Sequence, residues 1–363
     1  MNIALIILAA GKGTRMQSEL PKVLHEVAGA PMLVHAMRAG RALDPKRTII
    51  IAGHGFEAVS AAACAEDPEV EVVRQEAQLG TGHAVDQARA ALSDFDGTVI
   101  VLYGDCPLIQ SRTLEELSAT LSDSAVSVLG FEAKDPARYG RLITDGDKLK
   151  RIVEFKDASP AERAVSLCNS GVMAASAGLL FDLLSEIDAN NASGELYLTD
   201  VIGKAVARGL PCTAVRCAER ETLGVNSRVE LMQAEKEFQN LRRTEALEDG
   251  VTMPAPETVH FSYDTVIGRD TIIEQNVVFG PGVTVESGAQ IRAFSHLEGA
   301  HVSRGCIIGP YARLRPGAEL AEDVKIGNFV EIKASALEEG AKVNHLSYIG
   351  DAHIGARADI GAG

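Results

Sequence analysis

The feature that most restricts what this chain can fold into is a period of six residues in its final third. Ile267, Ile273, Phe279, Val285, Ile291 and Leu297 stand at even steps, commonly followed by a small or acidic residue, as in Ile267-Gly268 and Val285-Glu286. The count resumes through Ile308, Leu314, Leu320, Ile326 and Ile332, and again through Tyr348, Ile354 and Ile360. An α-helix repeats at about 3.6 residues and a strand at about 2, so neither produces this spacing. A parallel β-helix does, because three hexads close one triangular coil and the apolar positions stack inside it.

The remainder reads differently. As far as about Val225, short apolar runs rich in β-formers alternate with helical patterns: Ile3 to Ala9, Arg47 to Ala52, Val70 to Arg74, Thr98 to Tyr103 and Ala125 to Glu132. This alternation predicts an α/β domain on a mostly parallel sheet, with ligands gathered at the carboxyl ends of the strands. Next, Ser227 and Glu230 have the spacing of a capping box, Leu231, Ala234, Phe238 and Leu241 keep one helical face apolar, and Gly250 offers a stop. The predicted helix would be about 30 Å long and would connect two domains. At 363 residues there is room for both. The expected division is 1–226, a helix over 227–250, and a β-helical 251–363.

Composition excludes several function classes. The formal net charge is −15, which opposes nucleic acid or an anionic membrane as partner. Cys64, Cys106, Cys168, Cys212, Cys217 and Cys306 form no CxxC pair, which fits buried, reduced thiols in a cytoplasmic protein. The apolar start, Ile3 to Ala10, lacks a basic leader and is too short to span a bilayer. Yet residues 1 to 22 carry Lys12, Arg15 and Lys22 against Glu19 alone. Positive charge concentrated on an acidic protein suits an anionic small substrate.

The glycines around those cations sharpen the point. Leu8-Ala9-Ala10-Gly11-Lys12-Gly13-Thr14-Arg15-Met16 follows a strand, and its glycines let backbone N–H groups come close to phosphate oxygens. It lacks the third glycine of a dinucleotide fingerprint and the Gly-Lys-Ser/Thr ending of a P-loop. Arg15 and Lys22 offer a planar fork and a point charge to a triphosphate. Tyr103-Gly104-Asp105 closes another strand with a carboxylate, a credible magnesium ligand beside substrate phosphates. Gln75 and Gly80-Thr81-Gly82-His83-Ala84 carry amide and hydroxyl groups suited to a base edge, with His83 read as structural. In the repeats, His345, Tyr348, Arg315 and Lys333 are polar groups that the scaffold itself does not require.

Through the Leu8 to Met16 loop, Gln78 to Ala84, Tyr103-Gly104-Asp105, Tyr139-Gly140-Arg141, Gly194 to Asp200 and His345-Leu346-Ser347-Tyr348, the chain closely resembles a bifunctional bacterial family. Its members are N-acetylglucosamine-1-phosphate uridyltransferases and glucosamine-1-phosphate acetyltransferases. The resemblance implies that Leu8, Ala9, Ala10, Gly11, Gln75, Gly80 and Thr81 hold the uridine side of UTP. Lys22 and Arg15 would meet the phosphates; Tyr103, Gly104, Gly140, Glu154 and Asn169 would surround the N-acetylglucosamine; and Asp105 and Asn226 would hold Mg2+. The product, UDP-N-acetylglucosamine, would feed peptidoglycan and lipopolysaccharide synthesis.

For the repeats, the resemblance implies a left-handed β-helix that assembles as a homotrimer and transfers acetyl from acetyl-CoA to glucosamine 1-phosphate. His345 would act as base, with Arg315, Lys333, Tyr348, Asp359 and Ala362 at the sugar phosphate. Asp359 departs from the family, which usually has Asn there. The family also continues for several coils past Gly363 that carry most acetyl-CoA contacts, so acetyl transfer is expected to be lost or severely weakened. Two rival readings share the architecture: a glucose-1-phosphate nucleotidyltransferase, and a non-catalytic regulatory module. Arg15, Lys22, Asp105 and Asn226, all present, speak against the second.

Overall fold

The computed structural model describes residues 2–146 and 148–362. It divides into two compact units: residues to Glu26 with Pro31–Ala234, and Val27–Ala30 with the chain from Glu235 onward.

In the first unit the Ile3–Ala9 strand is buried at every position. Ala4, Ile6 and Leu8 enter one apolar cluster, while Ile3, Leu5, Ile7 and Ala9 enter another on the opposite face. A strand covered on both sides has no polar face, which is why it reads as an unbroken apolar run. It pairs in parallel with Arg47–Ala52 and Thr98–Tyr103, bringing Ile6 beside Ile49 and Val101. Among the described residues the sheet has nine strands, in the order Glu71–Arg74, Arg47–Ala52, Ile3–Ala9, Thr98–Tyr103, Leu167–Ser176, Val126–Glu132, Cys212–Cys217, Lys148–Val153, Arg141–Asp145.

Not every strand of this sheet is parallel. Pairing is parallel from Glu71–Arg74 to Thr98–Tyr103, but Leu167–Ser176 runs antiparallel to both neighbours and the Arg141–Asp145 and Lys148–Val153 strands form an antiparallel pair. Val126–Glu132 and Cys212–Cys217 pair in parallel as well, so the sheet is mostly parallel as expected, with antiparallel strands inserted into it. The antiparallel strands escape sequence reading for identifiable reasons. Leu167–Ser176 contains Asn169-Ser170-Gly171, where its register breaks, and the hairpin strands are rich in charge.

Ser227 begins the Arg228–Glu248 helix as predicted: its hydroxyl accepts from the Glu230 amide at 3.3 Å. The Glu230 carboxylate in turn accepts from the amide of Asn226 at 2.7 Å, one residue earlier than in the usual box. The unit division falls inside this helix, between Ala234 and Glu235. On the second unit's side Gln239 is buried, and its amide exchanges hydrogen bonds of 2.7 and 2.8 Å with the backbone of Phe261.

Parallel two-to-nine-residue strands of the second unit stack in three columns that repeat every 17 or 18 residues. Ile267, Val285, Val302, Leu320, Leu337 and Ile354 make one column. Ile273, Ile291, Ile308, Ile326, Val343 and Ile360 make the second. Phe279, Leu297, Leu314, Ile332 and Ile349 make the third. The inner position at the last of these is Ile349, not Tyr348, which is 59% exposed. The shift arises because the step from Ile349 to the next inner residue, Ile354, is five residues long, where an even count of six points to Tyr348. Outside, Phe294, Tyr311 and Phe329 from successive coils stack ring on ring, their centroids 5.0 and 5.2 Å apart. Among the described residues, no helix is long and apolar enough to cross a membrane.

Candidate active site

The carboxyl ends of Ile3–Ala9 and Thr98–Tyr103 open into a cleft of about 320 Å³. Leu8, Ala9, Ala10, Gly11, Lys22, Gln75, Gly80, Thr81, Tyr103 and Asp105 line it, so ten residues expected at the nucleotide and sugar share one cleft. Val23, Gln78, Ala84 and Glu195 line it too, though none was expected as a site residue of its own. Gln78 does lie in a motif singled out above; its amide donates to the carbonyl of Ala10 at 2.7 Å and ties two of the lining loops together.

Two glycines shape the cleft. Gly80 has φ +119°, and a Cβ there would lie 2.5 Å from the carbonyl oxygen of Leu196. Close approach lets Gly82 donate to that oxygen at 2.8 Å and the Thr81 hydroxyl accept from the Leu198 amide at 3.0 Å. Thus the Gln78 to Ala84 and Gly194 to Asp200 motifs, over a hundred residues apart, form one structure. At Gly171, φ is +89° and a Cβ would lie 2.6 Å from the Tyr103 ring. Burial pushes the Tyr103 phenol well above its usual range, assisted by the nearby Glu154 and Asp105 carboxylates, so the ring presents a neutral hydroxyl. Gly104, between Tyr103 and Asp105, donates to the Leu8 carbonyl at 2.9 Å.

Charge is concentrated at Lys22. Its ammonium makes an ion pair with Asp105 and donates to the amide oxygen of Asn226 at 3.0 Å. Asn226 is brought there because Val225 donates to the carbonyl of Asp105 at 2.9 Å and Glu230 holds the Asn226 amide. Two oxygens from distant segments thus converge on one cation. That donor set suits Mg2+, which takes one or two protein oxygens and fills its octahedron with water and phosphate. Among the described residues, no cluster of three or more His, Cys, Asp or Glu could hold a metal by itself. Next to Asp105, burial pushes the Cys106 thiol well above its usual range, leaving it inert.

Arg15 is placed differently. It is exposed, in a 3-10 turn, Thr14–Met16, anchored by the buried Met16, and does not line the cleft. Gly140, Glu154 and Asn169 form a group of their own: Gly140 accepts from the Asn169 amide at 2.9 Å, and a Cβ on Gly140 would lie 3.4 Å from the Glu154 carboxylate. Glu154 opens on a second hollow of about 510 Å³. Burial raises its pKa, partly offset by a 3.1 Å hydrogen bond from Thr199. Arg141, beside Gly140, is buried and donates to the carbonyls of Ala137, Tyr139 and Arg163. It braces the loop from behind.

In the second unit Arg315 is held by Glu331 at 2.9 Å, and Glu331 stands in register with Tyr348. Lys333 lies 3.8 Å from Asp351. His345 is exposed and in register with Asn328. Asp359 accepts from Asn344, the neighbour of His345, at 2.6 Å; Ala362 is exposed. The cations expected at a sugar phosphate thus lie beside carboxylates.

Comparison with known proteins agrees with these observations. Residues 5–172 match the MobA-like NTP transferase domain family. A solved structure of a UDP-glucose pyrophosphorylase complexed with UDP-glucose covers 67% of this chain and all of its own, at TM-score 0.55 and 17% identity, a likeness of fold. Along the whole chain, the bifunctional protein GlmU of Roseobacter denitrificans is 61% identical and that of Ruegeria sp. 64%, each matched over 81% of its length. Identity at that level along the whole chain shows that the chain belongs to the family of the bifunctional protein GlmU.

Proposed function

We propose that the first unit transfers UMP from UTP to N-acetylglucosamine 1-phosphate, giving UDP-N-acetylglucosamine and pyrophosphate. The observation that carries this is the convergence of Lys22, Asp105 and Asn226 at a cleft that Gln75, Gly80 and Thr81 also line. An oxygen of the sugar phosphate attacks the α-phosphorus in line, forming a new P–O bond as the bond to the β-phosphate bridge breaks and pyrophosphate leaves. No general base is needed, because the nucleophile is already an anion. Lys22 and Arg15 would balance the charge that builds on the phosphates. Arg15 lies on a turn outside the cleft, so its role requires that turn to fold onto the triphosphate. Asp105 and Asn226 would hold Mg2+. Bound there, the ion neutralises phosphate charge.

Tyr103, Gly104, Gly140, Glu154 and Asn169 would receive the N-acetylglucosamine. We read the second unit as a left-handed parallel β-helix of hexapeptide repeats, forming a homotrimer in the cytoplasm. There His345 would serve as base for acetyl transfer from acetyl-CoA to glucosamine 1-phosphate, beside Arg315, Lys333, Tyr348, Asp359 and Ala362. Its product line would supply peptidoglycan and lipopolysaccharide synthesis.

The decisive experiment offers UTP, Mg2+ and either N-acetylglucosamine 1-phosphate or glucose 1-phosphate, and identifies products by mass spectrometry. UDP-N-acetylglucosamine in clear preference is expected. Preferred formation of UDP-glucose overturns the sugar assignment, and no pyrophosphate with either overturns the reaction. Thiol release from acetyl-CoA, measured on the same preparation, tests the second unit.

A further inference from the structure

A buried amide in the cleft has its orientation fixed from behind. Gln75 lines the cleft and is only 4% exposed. Its nitrogen lies 3.4 Å from the carbonyl oxygen of Gly80 and 2.9 Å from Nδ1 of His83. A carbonyl oxygen can only accept, so the Gln75 atom facing it is the NH2 group. With one hydrogen directed at Gly80, the other points at His83, and Nδ1 must be the unprotonated nitrogen of the ring. Between the two contacts, 2.9 Å is a good hydrogen bond and 3.4 Å lies at the outer limit of one. His83 therefore supplies most of the hold. Gln87 sits on the far side of the same ring, its amide nitrogen 3.1 Å from the His83 carbonyl and 3.3 Å from Nε2. A neutral imidazole accepts at one nitrogen only, and the shorter contact is at Nδ1.

Both hydrogens of Gln75 are thus engaged, which leaves its amide oxygen as the group to meet a ligand. We infer that His83 is a positioning residue for base selection: in its Nε2–H tautomer it holds Gln75 with the oxygen toward the base, favouring a pyrimidine that carries a hydrogen on N3. Uracil has that hydrogen. Cytosine presents a bare nitrogen at N3, and a fixed oxygen opposite it finds two acceptors facing each other. Released from His83, the amide of Gln75 is free to turn over and offer its NH2 instead, and the preference weakens. This rests on the reading of the cleft as a UTP site and deepens it. His83 itself does not line the cleft.

The test compares kcat/KM for UTP and for CTP, each with N-acetylglucosamine 1-phosphate, in the wild-type chain, His83→Leu and His83→Asn. Leucine removes the acceptor; asparagine can place its side-chain oxygen near the position of Nδ1. The UTP preference is expected to fall at least about tenfold in His83→Leu, through a raised KM for UTP, and to be largely restored in His83→Asn. Loss of activity toward both nucleotides in equal proportion, or an unchanged ratio, overturns the inference, since a purely structural histidine does not alter the ratio. Nitrogen-15 NMR of His83 in the wild-type chain gives a second measurement that needs no variant. An Nδ1–H tautomer there overturns the inference as well. A wild-type chain that turns over neither nucleotide would instead overturn the underlying reading of the cleft.

Discussion

The ammonium of Lys22 lies 3.0 Å from the amide oxygen of Asn226, 204 residues further along the chain, while also paired with Asp105. The lysine expected at the phosphates therefore occupies the space between the two residues expected to hold Mg2+. For the metal to bind there, the ammonium has to leave.

The first prediction follows from that competition. Lys22→Met should bind Mg2+ or Mn2+ more tightly than the wild type in the absence of nucleotide, as read by calorimetry or by the Mn2+ resonance signal. Uridyl transfer should fall by about 10²- to 10³-fold, the usual cost of losing one positioned charge at a transferring phosphate. Unchanged metal affinity would show that the ammonium and the ion do not share a position.

Asp105→Asn tests the other half of the pair. Lys22 and Asp105 have side chains only 12% and 15% exposed, so the substitution leaves an ammonium largely out of water without its counterion. A loss of about 3 kcal/mol of stability is expected in chemical denaturation, together with loss of uridyl transfer. In the double variant Lys22→Met/Asp105→Asn much of the stability should return, which a thermal melt can check.

Gly80→Ala probes the backbone of the cleft. Its Cβ would stand 2.5 Å from Leu196 O and 2.8 Å from Leu196 N, at a φ that side chains rarely adopt. The expected cost is roughly 1–3 kcal/mol, with a raised KM for UTP because Thr81 and the Leu196 segment move apart. A variant with wild-type KM and melting temperature would show that this loop yields easily.

Glu154 predicts a dependence on pH. Burial raises its pKa above the unfolded value, assisted by Asp200 and Asp157, so folding disfavours the ionised form. Stability from this group is complete below the unfolded pKa and is lost as pH rises through the folded one. Glu154→Gln keeps an acceptor for Thr199 and removes the penalty. It should be more stable than the wild type at pH 7, the difference shrinking toward about pH 4. Denaturant titrations at the two pH values decide it.

Much of this architecture was legible in the sequence, for reasons that can be named. The Arg47–Ala52 and Thr98–Tyr103 strands stand where their apolar runs predict, because strands buried on both faces leave an uninterrupted signal. The six-residue period was readable because the inner columns admit little but Ile, Val, Leu and Phe. It failed at Tyr348, because the step from the true inner residue, Ile349, to Ile354 is five residues and not six. The cleft could be read where glycine and charge cluster, as at Gly11 and Lys22. Glu195, Gln78 and the His83–Gln75 contact could not, since they depend on which loops fold together, and nothing in their local sequence records that.

The stacked columns of the second unit carry a consequence for how such a chain can change over time. A residue inserted into or removed from a straight stretch turns every following inner side chain to another face, and the exposed tier of Phe294, Tyr311 and Phe329 would fall out of line with it. Growth or loss of an entire coil keeps both in phase. Length in this unit is accordingly quantised: drift by single residues is confined to the corners, and larger changes come in steps of 17 or 18.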